Sequence, residues 1–102
     1  MLVAFSVAPS GEGESVSRAV ADAVRVVRAS GLPNRTDAMF TTIEGEWDEC
    51  MDVVRRAVEA VGGHGNRVSL VLKADIRAGR SGELDAKVQR LEAAIERAEA
   101  GG

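Results

Sequence analysis

The sequence predicts an α+β domain in which helices cover one face of a four-stranded antiparallel sheet. The hydrophobic period alternates between that of strands and that of helices along the chain, in the order strand, helix, one or two strands, helix, strand, helix, the β-α-β-β-α-β order following if the middle segment is a hairpin. The 102 residues are enough for one core and too few for two. With 45% hydrophobic and 28% charged residues, the composition is that of an ordinary globular chain.

Leu2 to Ala8 forms the first strand. Val3, Phe5 and Val7 share one face, Leu2, Ala4, Ser6 and Ala8 the other, and Pro9 ends the run. From Ser15, a plausible N-cap, Val16, Val20, Ala23, Val24 and Val27 trace one helical stripe, closed by Ser30-Gly31 and Pro33. Asn34 to Glu44 holds two extended pieces that pair as a hairpin, with Met39, Thr41 and Ile43 alternating against Phe40, Thr42 and Glu44. Trp47, Cys50, Met51, Val54, Val58 and Val61 then recur at helical spacing, with Glu46, Asp48 and Glu49 at the positive end of the helix dipole. Val68 to Ile76 alternates as a long strand, and Leu84, Val88, Leu91, Ile95 and Ala98 mark a final helix. This order is the β-α-β-β-α-β of a ferredoxin-like antiparallel sheet, followed by an additional C-terminal helix. Residues 1–99 read as one domain and 100–102 as a disordered tail.

Two helices on one face leave the other face of such a sheet bare, with Leu2, Ala4 and Ala8 among its side chains. The third helix hides part of it, and a second copy of the chain is the expected cover for the rest, as a dimer or tetramer.

The charge balance, 13 Lys and Arg against 16 Asp and Glu, gives −3 and no general attraction to phosphate backbones or anionic membranes. Phe5, Phe40 and Trp47 are too few rings for a base-stacking surface. Neither nucleic acid nor membrane is an expected partner. The one cysteine, Cys50, lies on the apolar stripe of the second helix and reads as a small buried hydrophobe. No apolar run is long enough to span a bilayer and no basic leader precedes Leu2, so the expected location is the cytoplasm.

No catalytic constellation is present in the sequence. His64 stands alone in a glycine-rich turn, without the partners that a zinc site requires. No serine has a base at motif spacing. "GEGES" lacks the lysine and full glycine spacing of a phosphate loop. Glu46, Asp48 and Glu49 read as helix N-terminal charges, whereas Glu44 ends a strand and is free to face a cleft. Lys73, Asp75 and Arg77 share one strand face and read equally as an ion network or a ligand contact.

The stretches "PSGEGESVS", "ASGL", "TTIEGEWDECMDVV", "NRV", "LKADIR" and "AKVQRLE", from about Val3 to Glu92, resemble those of the small thiamine-binding protein family in order and spacing. The resemblance implies a ferredoxin-like fold, homo-oligomers, and binding of thiamine or its hydroxymethylpyrimidine part. It implies no catalysis, and no cofactor or metal is expected. An aminopyrimidine needs in-plane donors and acceptors between apolar walls, and a thiazolium cation favours a nearby carboxylate. On that basis Ser6, Ser17, Thr41 and Thr42 are candidate in-plane hydroxyls, Met39 and Trp47 candidate walls, and Glu44 the candidate carboxylate. Phe40 stands where the family commonly has glycine after a Pro-Met pair, and either walls or plugs the pocket. The alternative reading is a self-assembling structural or regulatory module with no small-molecule ligand; an enzyme ranks third.

Overall fold

The structure, a computed structural model, describes residues 1–9, 14–63, 67–78 and 81–101. Strand β1 (Leu2–Pro9) leads to helix α1 (Glu14–Ala29), then β2 (Asn34–Thr36), β3 (Thr41–Glu44), α2 (Trp47–Gly62), β4 (Val68–Asp75) and α3 (Glu83–Gly101). The strands form one antiparallel sheet in the order β2-β3-β1-β4. This is the expected ferredoxin-like arrangement with its extra helix. The "GEGE" loop up to Gly13, His64 and its flanking glycine Gly65 lie outside the described residues.

Alternation along β1 sends Val3, Phe5 and Val7 into the core with Ile43 of β3. Against them pack Ala19, Ala23 and Val27 of α1 and Cys50, Val53, Val54, Ala57 and Val61 of α2. The α1 stripe is therefore rotated from the one its valines suggested. Ala19 is fully buried, whereas Val20 is 38% exposed. Small side chains allow α1 to approach its neighbours closely, and the valines on its flank are left for another surface.

Helix ends follow local chemistry. Helix α1 begins at Glu14, so Ser15 is inside its first turn and not ahead of it. At its other end Ser30 Oγ donates to the Val27 carbonyl and accepts from Leu32 N–H, and Gly31 takes φ +81°, a value that a side chain resists. Glu46 caps α2, and its N–H donates to the Glu49 carboxylate at 3.0 Å. Gly45 just before it has no room for a Cβ without displacing Leu32, at 3.3 Å. Trp47, placed by the pattern on the apolar stripe, is the first helical residue and is 55% exposed.

Helix α3 is joined to the body at its first turns. Glu44, at the end of β3 and on the sheet face away from the other helices, is buried, and its carboxylate accepts from the backbone N–H of Glu83 (2.7 Å) and Leu84 (3.4 Å). A carboxylate from a distant strand thus satisfies the unpaired donors at the helix start and meets the positive end of its dipole. Arg35 pairs with Asp85 at 2.8 Å and Lys87 with Asp75, one on each side of that anchor. The Lys87 ammonium holds the Asp75 carboxyl below the usual carboxylate range. That pair favours the folded state above the ordinary carboxylate pKa, and its contribution is lost only as pH falls through the lowered value.

Beyond the anchor α3 projects from the body and runs to Gly101, so Ala100 and Gly101 continue the helix. Val88, Leu91 and Ile95 on its apolar stripe are exposed. The molecule measures 53 × 30 × 19 Å with a radius of gyration of 16.0 Å, against about 13 Å for a compact chain of this length. Strand β4 ends at Asp75, which leaves Ile76 outside the sheet and exposed.

Replacing the buried anchor by Glu44→Ala is expected to lower unfolding stability by about 1–2 kcal/mol, since two helix-terminal donors lose their acceptor. Urea denaturation measures the loss, and faster amide exchange at Glu83 and Leu84 locates it.

Candidate functional site

The hairpin that links β2 to β3 shapes the site. Asp37 N–H donates to the Phe40 carbonyl at 2.8 Å, so Ala38 and Met39 form the two-residue corner. No non-glycine residue among those described has positive φ. The corner therefore lacks the left-handed residues that match a hairpin to the twist of its strands. The strands are three and four residues long. Met39, which the alternation placed in a strand, is instead at the corner and 76% exposed. Phe40 adopts the turn without needing glycine.

Because β3 starts only at Thr41, β1 is paired with it from Leu2 to Phe5, while on its other side β1 pairs with β4 through to Pro9. A cavity of about 180 Å³ opens where β3 is missing, between α1, the second half of β1 and the hairpin corner. Phe5, Val7, Val20, Val24 and Phe40 supply its apolar lining. The exposure of Val20 and the partial exposure of Val24 have their cause here, since both face this space. The Thr36 and Thr41 hydroxyls lie 3.2 Å apart at its edge, and Asp37 is among the residues at its rim. At this volume the cavity admits a single flat ring; clefts that bury a drug-sized molecule run to roughly 300–1,000 Å³.

Of the residues singled out from the sequence, Ser6, Met39, Phe40 and Thr41 border this cavity. Ser17 is exposed on α1, and Thr42 is on the opposite sheet face. Glu44 is engaged with the N-terminus of α3. Trp47 lines a separate hollow of about 330 Å³ with Met1, Glu46, Ile76 and Arg77. That hollow is at the other end of β1, about 20 Å away by strand rise, and its walls are exposed side chains of opposing charge. The core-walled cavity is the better candidate site. Sequence reasoning missed Thr36, Asp37, Val20 and Val24; for Thr36 the parity of the hairpin contained the signal, since with Ile43 in the core Thr41 and its partner Thr36 face the same way, and Thr42 and Glu44 face away.

Among the described residues no three His, Cys, Asp or Glu side chains are gathered to hold a metal ion, and no helix is long and apolar enough to cross a membrane. Cys50 is fully buried, and burial pushes its thiol pKa up. Alkylation of Cys50 in the native protein at neutral pH is therefore expected to be at least tenfold slower than in denaturant; equal rates with iodoacetamide would place the thiol at an accessible surface.

Residues 3–92 match the family model described as thiamine-binding protein. The chain is 57% identical over 93 residues to the UPF0045 protein Mb1933 of Mycobacterium bovis, covering 90% of this chain and 91% of that one. It is 34% identical to the UPF0045 protein sll0230 of Synechocystis, covering 94% and 80%. Among solved structures it resembles the hypothetical protein MJ1052 of Methanocaldococcus jannaschii, with TM-score 0.81 at 31% identity over 89% of this chain and 94% of that one. It also resembles TM0486 of Thermotoga maritima, described as a candidate thiamine biosynthesis/salvage protein, with TM-score 0.74 at 25% identity over 86% and 96%.

Proposed function

The chain belongs to the thiamine-binding protein family, and from that premise we propose that it binds thiamine, or the pyrimidine part of it, in the cavity beside the hairpin, without transforming it. The observation that carries this reading is the cavity itself: one ring fits between Val20 and Val24 of α1 and the β1 edge, with hydroxyls at one side and Asp37 at the rim. The pyrimidine occupies the enclosed part. The thiazolium, a cation with no room inside, lies at the mouth, where Asp37 is its counter-charge. Phe40 forms part of the wall, and Thr41 with Thr36 supplies hydroxyl contacts. Glu44 serves the attachment of α3, so Asp37 takes the role that the sequence pointed to Glu44 for. The relation to the Thermotoga protein described for thiamine biosynthesis or salvage supports the same ligand class.

Self-association is the second part of the proposal. Leu2, Ala4 and Ala8 lie half-buried on the open sheet face, and Val71 of β4 on that face is exposed. The stripe of Val88, Leu91 and Ile95 on α3 is exposed as well. Apolar surfaces of this extent are covered when a second copy packs on them.

Calorimetric titration with thiamine is expected to saturate at one ligand per chain, and a flat titration of folded protein at millimolar thiamine would remove the binding role. Val20→Trp, at a partly exposed position, fills the cavity and is expected to abolish binding while leaving the fold intact. Asp37→Asn should weaken thiamine several-fold and the neutral pyrimidine little. Sedimentation is expected to find a dimer or tetramer, shifted toward monomer by Val88→Glu with Leu91→Glu; a wild-type monomer at every concentration would sink the self-association.

A further inference from the structure

The hydrogen-bond phase of β1 identifies which backbone groups face the cavity. Met1 and Gly45 exchange bonds: the Met1 ammonium donates to the Gly45 carbonyl at 2.7 Å, and Gly45 N–H donates to the Met1 carbonyl at 3.1 Å. In an antiparallel ladder, residues that exchange bonds with a given neighbour alternate with residues that do not. Val3 and Phe5 therefore turn their N–H and C=O toward β3, and Leu2, Ala4, Ser6 and Ala8 turn theirs toward β4. The other edge of β3 agrees, since Glu44 N–H donates to the Pro33 carbonyl, on the β2 side. Val7 is next in phase. Its N–H and C=O point to where β3 would continue, but the β1–β3 pairing ends at Phe5–Thr41. Continued register would bring Met39 opposite Val7, and Met39 is the hairpin corner. Among the described residues no strand pairs with Val7 on that side, and Val7 lines the cavity.

A donor and an acceptor from one extended residue, side by side at the edge of an apolar cavity, are costly to leave unpaired. We propose that the open edge of β1 at Val7 is the polar recognition element of the cavity, and that it pairs with a flat heterocycle bearing a ring-nitrogen acceptor next to an amino donor, as in a 4-aminopyrimidine. Val7 N–H donates to the ring nitrogen, and the amino group donates to the Val7 carbonyl. The ring takes the place of the missing strand residue. This deepens the thiamine reading and rests on it. It also shifts specificity from side-chain hydroxyls to the main chain, which requires two adjacent in-plane groups of opposite kind rather than any particular substituent.

Amide exchange by NMR on the full chain, free and saturated with thiamine or with 4-amino-5-hydroxymethyl-2-methylpyrimidine, tests the assignment. The Val7 amide is expected to exchange freely without ligand and at least tenfold more slowly with it, while Ser6 and Ala8, bonded to β4, change little. A second arm removes the donor. Two synthetic peptides joined at Cys50, the one cysteine of the chain, allow Val7 to be replaced by its α-hydroxy acid, which keeps the side chain and deletes the N–H. The ester chain should bind both probes at least tenfold more weakly, and the pyrimidine lacking its amino group should bind unmodified protein weakly to a similar degree. Saturable binding with unchanged Val7 exchange would overturn the edge pairing and leave the thiamine reading standing. No binding of either probe to unmodified folded protein would overturn both.

Discussion

Unequal pairing of β1 governs this molecule. On one side the strand is matched to β4 along its whole length, and on the other to β3 for only half of it. The matched half carries Val3 and Phe5 into the core beneath both helices. The unmatched half borders a space that α1 overhangs and no strand fills. The reason is local: the chain turns at Ala38 and Met39, so β3 begins only at Thr41 and the sheet stops early on that side of β1. The cavity in this fold thus comes from an omission in the sheet.

The two faces of the sheet divide the labour. The face beneath α1 and α2 holds the core and, at its margin, the cavity. The opposite face holds the Glu44 anchor and the ion pairs at the start of α3. Glu44 and Thr41 are close in sequence, yet they serve different surfaces because alternation separates them. Stability of the attachment and chemistry of the cavity are thereby varied by neighbouring residues with little interference, as expected for sites that share no partner.

Much of the architecture was legible in the sequence because periodicity reports burial directly. β1 follows its pattern closely and α2 does so after Trp47, whereas β4 forms its strand with Leu70 and Leu72 exposed. The α1 stripe was misphased for a physical reason: hydropathy favours valine over alanine, whereas tight helix packing favours alanine, so Ala19 carried little signal. Site residues were harder. Ser6, Met39, Phe40 and Thr41 converge on the cavity, but Ser17, Thr42, Glu44 and Trp47 do not. Glu44 looked like a ligand carboxylate because it ends a strand and a thiazolium favours a nearby carboxylate, but its partner is the start of a helix far along the chain, which one-dimensional spacing does not reveal. Asp37 was overlooked because a turn aspartate is usually a turn-former and nothing more.

The projecting helix has a mechanical consequence. All of its described polar ties to the sheet are in its first turns, and the whole 19-residue rod measures about 28 Å from that root to its tip at the usual rise. A rod hinged at one end amplifies: a tilt of about 10° at the root carries the tip by about 5 Å at that length. Whatever the far end grips thereby reports on small adjustments around one buried carboxylate, and the bearing and the lever belong to the same chain.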